Sequence, residues 1–249
     1  MRKKKRSAVR PAILLTAAAG LLLFSTVGST RAALMYYSEN YAAEVTVSSI
    51  GITLTENGEK ISYRDYTNGG NEWNEAEGKL LTKLLAEGEA LMPGKEYPER
   101  LGVTNSGSID TYVRVIVTRS WMDAQGKDTT LTPALIDLHY LENGWIIDPA
   151  ASTEERTILY CTKPVLAGQA APDLTDTLKI DSTITNKVTQ NVTEVGGNKT
   201  IETVYDYDGY QFHINAEVDA VQTHNAKEAI KSAWGVDVNI APDKSLSLQ

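Results

Sequence analysis

Thr111-Tyr-Val-Arg-Val-Ile-Val-Thr-Arg-Ser-Trp121 decides how this chain folds. Val113, Val115 and Val117 point one way, and Tyr112, Arg114, Ile116 and Thr118 point the other, which is the period of two that a strand imposes on its side chains. Valine, isoleucine and tyrosine also favour a pleated backbone. The stretch reads as a central strand of a sheet, and the rest of the chain is expected to arrange around it.

The same alternation recurs on both sides, separated by turn signals. Residues 46–55 place Ile50, Ile52 and Leu54 on one face, and Glu56-Asn57-Gly58 closes that strand as a turn. Val45 and Val47 fall on the opposite phase, which predicts a bulge near Ser48 and Ser49. Residues 157–162, 178–185 and 211–221 are further strands, the last with Phe212, Ile214, Ala216, Val218 and Ala220 on one face. Residues 187–199 are polar, with Gly196-Gly197-Asn198 at the tip, and predict an exposed hairpin or loop within an excursion that runs to residue 203.

Two stretches break the β pattern and are expected to be helical. Residues 72–91 carry Leu80, Leu81, Leu84 and Leu85 at helical spacing, weakened by Gly78 and Gly88, as an insertion over residues 68–92 that lies on the sheet. Nearer the C terminus, Asn225 and Glu228 have capping-box spacing, Ala226, Ala229, Ile230, Ala233 and Trp234 form a stripe, and Gly235 supplies a stop. The chain beyond Asp237 is expected to be loose, with residues 241–249 a polar tail.

At the other end, a basic stub (Arg2 to Arg6, and Arg10) precedes an apolar run over residues 11–27 and the small residues of Gly28-Ser-Thr-Arg-Ala-Ala-Leu34. That is the order of a secretory signal peptide, residues 1–33, cut after Ala32 or Ala33. An uncleaved anchor is the competing reading, because the run approaches the roughly 20 residues that span a bilayer. Cleavage leaves one domain over residues 34–240. It also removes seven of the 24 basic residues, leaving 17 against 32 acidic ones and a net charge of about −15. Such a chain repels nucleic acid and anionic lipid, so no nucleic-acid partner is expected and membrane contact is confined to the uncut signal peptide. Cys161 has no partner cysteine, so stability rests on an apolar core.

Catalytic chemistry finds little purchase. There is no His-Glu-x-x-His pair and no Gly-x-Ser-x-Gly elbow. His139, His213 and His224 are scattered and read as surface or capping residues, and Cys161 as a buried small hydrophobe. Asp206-Tyr-Asp208-Gly209 lacks the remaining ligands of a calcium loop and reads as a turn. Trp121, Trp145 and Trp234 are assigned to core packing ahead of a ligand groove. No catalytic residue, cofactor or metal ligand is assigned.

Four segments together resemble the TasA/camelysin family of secreted Gram-positive proteins. They are the signal end, with Tyr36, Tyr37 and Tyr41 after it; Leu91-Met-Pro-Gly-Lys95 before a strand; Val103-Thr-Asn-Ser-Gly-Ser-Ile-Asp-Thr-Tyr-Val-Arg-Val115; and Ala216-Glu-Val-Asp-Ala-Val-Gln-Thr-His-Asn225 with Ala233-Trp234-Gly235. The resemblance implies an all-β, jelly-roll-like antiparallel sandwich, processing by a SipW-type signal peptidase, and a structural role in the extracellular matrix or at the cell surface. It further implies fibres built by strand addition, in which the segment holding Leu34, Tyr36, Tyr37 and Tyr41 completes the sheet of a neighbouring copy. Pairing of that segment within its own sheet, giving a monomeric surface adhesin or accessory protein, stays open, as does the extracellular metallopeptidase activity attached to the camelysin branch. Asn105 and Gly107 form the turn ahead of the central strand, where residues tolerant of positive φ are expected. Tyr112 and Arg114 read either as an interaction stripe or as a cross-strand packing pair.

Overall fold

The chain divides into two units, residues 1–45 and Thr46–Gln249. The computed structural model describes residues 49–67, 72–87, 89–186, 188–195, 198–205 and 210–249, all within the second unit. The expected signal peptide, its cut at Ala32 or Ala33, and Leu34, Tyr36, Tyr37 and Tyr41 lie outside the described residues, as do Ser48 and the Asp206–Gly209 turn.

Along the chain run β1 (Gly51–Glu56), β2 (Glu59–Thr67), β3 (Glu72–Ala76), β4 (Glu96–Pro98), β5 (Leu101–Thr104), β6 (Thr111–Asp123), β7 (Gly126–Asp128) and β8 (Ile136–Tyr140). They continue with β9 (Trp145–Ile147), β10 (Arg156–Cys161), β11 (Thr175–Ile180), β12 (Val188–Val195), β13 (Asn198–Tyr205) and β14 (Gln211–Gln222). Helix α1 (Ala226–Trp234) and the short strands β15 (Val238–Ile240) and β16 (Leu246–Leu248) complete the chain. Every strand pairing among the described residues is antiparallel. The protein is therefore all-β, with one α-helix among the described residues.

Strand β6 is central, as its sequence predicts: its sheet runs β14-β6-β10-β9, with β7 added to β6. A second sheet runs β3-β2-β1-β5, a third β4-β11-β8, and β12–β13 and β15–β16 are hairpins. Asn57 and Gly58 both take positive φ (51° and 85°), the geometry that a tight β1–β2 hairpin needs to match strand twist. The register of that hairpin shifts between Leu54 and Thr55, while the bulge expected near Ser48 and Ser49 involves Ser48, which lies outside the described residues.

Both faces of the central sheet are covered. Val113, Val115, Val117 and Leu159 sit at 0–1% exposure in the main core with Leu101, Val103, Leu138 and Leu178 from the other sheets and Leu174 just ahead of β11. The opposite face, with Tyr112, Ile158 and Tyr160, packs under α1 and the β15–β16 hairpin through Ile230, Val238 and Leu246.

Several expectations fail against this architecture. The described part of residues 72–91 forms no helix: Glu72–Ala76 is strand β3, paired with β2, and the segment after it is turns and coil. Leu80, Leu81 and Leu84 still pack on the core, so their spacing reported burial and not helical periodicity. The supposed tail closes a hairpin, with Val238 and Leu246 buried, so the domain runs on through β16. Strand β11 ends at Ile180, and a 3-10 turn occupies Ser182–Asn186. The helix at Ala226 is present, but Asn225 sits in the left-handed region (φ 49°) with no side-chain capping bond, so no capping box forms. Gly235 does end the helix as expected, at φ 72°, donating its N–H to the Lys231 carbonyl. Excursion 187–203 is built on the β12–β13 hairpin. Among the described residues, no helix is long and apolar enough to cross a membrane.

Candidate functional site

Strand β14 pairs with β6 over all twelve of its residues, Gln211 opposite Met122 through to Gln222 opposite Thr111. Among the described residues nothing pairs with its other edge. An unpaired strand edge is a row of N–H and C=O groups ready to accept another strand. Here it opens onto a groove of about 1020 Å³. One side of the groove is β14 from Phe212 to Asp219, and both its inward and outward residues border the space. The other side is formed by Ile52 and Leu54 of β1, residues of β2 and β3, and the segment from Gly78 to Leu81.

The base of the groove is apolar and its rim is charged. Phe212, Ile214, Ala216 and Val218 share the face predicted for them and touch the main core, yet remain partly exposed. Phe212 meets Trp121 edge to face at 6.2 Å. Glu77, Lys79, Glu217, and Arg64 paired with Glu75 at 3.1 Å supply the polar margin. An extended peptide could place its backbone on β14 and alternate side chains against this base.

Behind the groove's far wall lie two buried acids, Glu56 and Glu99, that no sequence motif marks. Glu56 closes β1 and accepts the Leu81 N–H at 2.6 Å, which holds Leu81 at φ 65°, a left-handed conformation rare for a branched residue. Glu99, 1% exposed, lies between β4 and β5 and accepts a bond from Asn57 Nδ2 at 3.3 Å. No N–H or hydroxyl donor among the described residues reaches Glu99 Oε1. Burial, and then the hydrogen bond and charge of Glu56, push the Glu99 carboxyl up to about 8. That shift favours the protonated carboxyl.

Other predicted site residues lie elsewhere. Asn105 is fully buried and does not take positive φ; its amide donates to the carbonyls of Ile109 and Val165, and its Oδ1 accepts the Gly107 N–H. Gly107 is required by close approach: a Cβ there would lie 2.4 Å from the Gly51 nitrogen. The turn is present, but its chemistry is a buried amide and a backbone contact, not left-handed geometry. Tyr112 and Arg114 form no exposed stripe. Tyr112 is buried under the C-terminal hairpin and donates its hydroxyl to the Lys244 carbonyl. Arg114 grips Asp219, its cross-strand partner, at 2.6 Å and lies 5.4 Å from the Trp234 ring. This is the packing-pair alternative, with a helix added on top.

Trp121 and Trp145 are core residues whose indole N–H groups reach backbone carbonyls, and Trp234 packs on Tyr160. Cys161 is buried and its thiol is pushed up by desolvation, which disfavours a thiolate. His139 pairs with Asp176 on the surface, while His213 and His224 lie exposed on β14 and before α1. Among the described residues, no group of three or more His, Cys, Asp or Glu is placed to hold a metal ion. The β14 groove is thus, among the described residues, the feature most suited to binding. Comparison with known proteins finds no matching family model, no matching curated protein and no matching solved structure.

Proposed function

We propose that this protein is a secreted structural component of the extracellular matrix or cell surface that joins to its own kind by strand addition. In this reading residues 34–43 of one copy occupy the groove beside β14 of the next. The observation that carries it is the unpaired edge of β14 above a half-covered apolar base, among the described residues. The proposed occupant suits it. Leu34 and Tyr36 share one face of an extended strand, with Tyr37 and Tyr41 on the other. Burying each such side chain is worth roughly 1.5–3 kcal/mol, to which the backbone pairing adds.

The order of the chain supplies a control step. While residues 1–33 are attached, the donor segment is tied to the membrane; cleavage by a SipW-type signal peptidase frees its end. Donation from one copy to the next is head to tail and does not close, so it builds filaments. A jelly-roll-like winding of the sandwich belongs to the same proposal, supported by antiparallel pairing throughout the described strands and by a core shared between sheets.

The test is electron microscopy and sedimentation of the mature chain beginning at Leu34, beside a chain beginning at Glu44. Filaments from the first, monomers from the second, and capture of a synthetic 34–43 peptide by the shorter chain are expected. Monomers from both, with no peptide capture, would overturn the reading. Concentration-independent monomers from the longer chain, alongside peptide capture by the shorter one, would mean that the segment fills its own groove.

A further inference from the structure

Sheet β3-β2-β1-β5 reaches further than the sheet opposite it. Strand β1 packs against β14, where the second sheet ends, while β2 and β3 continue beyond. A strand added to the open edge of β14 would therefore lie across from β2. Residues paired across antiparallel strands point to the same face, so the register tells what that strand would meet. Ile52 pairs with Arg64 and Leu54 with Ser62, and Arg64 pairs on its other side with Glu75. Ile52 packs on the main core, so Ser62, Arg64 and Glu75 face inward with it, and all of them line the groove. The inner wall is apolar at β1 and turns polar at β2.

Charge on that wall is uneven. Arg64 and Glu75 pair at 3.1 Å with both side chains 60% exposed. An exposed pair of this kind holds weakly and is open to sharing, because a guanidinium offers more N–H donors than one carboxylate uses. Among the described strand residues that line the groove, Arg64 is the one lysine or arginine. Lys79 lines it from the segment after β3, and the other acids are Glu77, Glu217 and Asp219, the last held by Arg114. A carboxylate arriving on the sheet face therefore has one cation to meet, and acids on the rim repel it elsewhere.

We propose that Arg64 is the specificity-determining residue of the strand-docking groove: it reads a single carboxylate on the incoming strand, which in this chain is Glu39. The inference rests on the strand-docking role proposed for residues 34–43. Those residues, Leu-Met-Tyr-Tyr-Ser-Glu-Asn-Tyr-Ala-Ala, carry one charged side chain. In an extended strand Glu39 shares its face with Tyr37 and Tyr41, each two positions away and about 7 Å along the chain. Seating Glu39 on Arg64 turns this face toward β2 and sets the register. A slip of one residue would present the even-numbered face, which has no acid, and a slip of two would put a tyrosine or Ala43 where the carboxylate belongs, or Tyr37. In the seated register the two tyrosine rings flank the guanidinium, a cation that favours aromatic faces.

Charge reversal in the mature chain beginning at Leu34 tests this by sedimentation and electron microscopy. Glu39→Lys and Arg64→Glu are each expected to raise the concentration needed for filaments by about tenfold or more, because like charges then face one another. Arg64 is exposed, so Arg64→Glu should keep the native unfolding midpoint. Mixed in equal amounts, the two variants are expected to assemble again, each supplying the strand that suits the other's groove, and the chain carrying both changes should recover as well. Native filaments alongside native-like assembly of either single variant, or no recovery in the mixture and the double variant, would overturn the role of Arg64 and leave strand docking in place. A native chain that stays monomeric at every concentration would overturn docking between copies, and the reading of Arg64 with it.

Discussion

Strands β6 and β14 lie side by side in one sheet, in register from end to end, and meet different fates. Val113, Val115 and Val117 of β6 face Ala220, Val218 and Ala216 of β14. The β6 residues are sealed at 0–1% exposure, while those of β14 remain partly open. Their alternation is equally regular, so the period of the pattern does not separate them. The difference lies in the neighbourhood: β6 has β10 on its far side, and β14 has an unpaired edge among the described residues. One strand is sealed into the core and the next keeps an open edge, on a single continuous face.

The sharpest way to break this contrast is to put the same charge on both strands. Val115→Asp would bury an unpaired carboxylate, and the chain is expected not to fold, read as loss of a cooperative unfolding transition. Ile214→Asp is expected to leave a folded monomer that forms no filaments. Should both variants fold alike, the distinction between sealed and open strands fails.

The second cover of the central sheet sharpens the comparison from the other face. Leu246 is 4% exposed in a hairpin expected, from its polarity, to be loose. Leu246→Ala should cost about 2–4 kcal/mol in urea unfolding, and a loss below about 0.5 kcal/mol would restore the tail reading.

The acid pair gives a pH signature. The Glu99 carboxyl is raised from 4.5 to about 8, so the folded chain keeps a proton that the unfolded chain loses. This contribution is fully present below about pH 4.5, declines as pH rises, and is gone above about pH 8. The melting temperature of the native chain should therefore fall relative to Glu99→Gln across that window, with a slope of up to one proton. Parallel profiles would show that the two states bind the proton equally. The smallest expected effect is at Gly235, whose φ of 72° ends the helix that covers Tyr160. Gly235→Ala should cost about 1 kcal/mol in the same unfolding assay.

The errors of sequence reading have a common cause. Leu80, Leu81 and Leu84 have helical spacing, but Gly78 approaches the Ile61 carbonyl so closely that a Cβ would sit 2.3 Å from its oxygen, and the segment serves as a turn-rich wall. Leu246 and Leu248 are separated by one serine in a polar stretch too short to carry a pattern, and pair with Val238 and Ile240 only because the intervening turn brings them together. Asn105 was legible as a turn residue, whereas its bond to Val165, sixty positions away, was not.

The sequence by itself determined the local elements: the β period of residues 111–121 and 211–221, the Asn57-Gly58 hairpin turn, the Gly235 stop, the buried cysteine and the acidity of the chain. These come from side-chain alternation, allowed φ and counted charge, which are properties of neighbours along the backbone. Tertiary structure alone decided which alternating face is sealed and which borders a groove, that Tyr112 lies beneath a C-terminal hairpin, and that Glu56 and Glu99 meet. Those outcomes depend on contacts between residues tens of positions apart, where burial arises only once distant segments exclude water together.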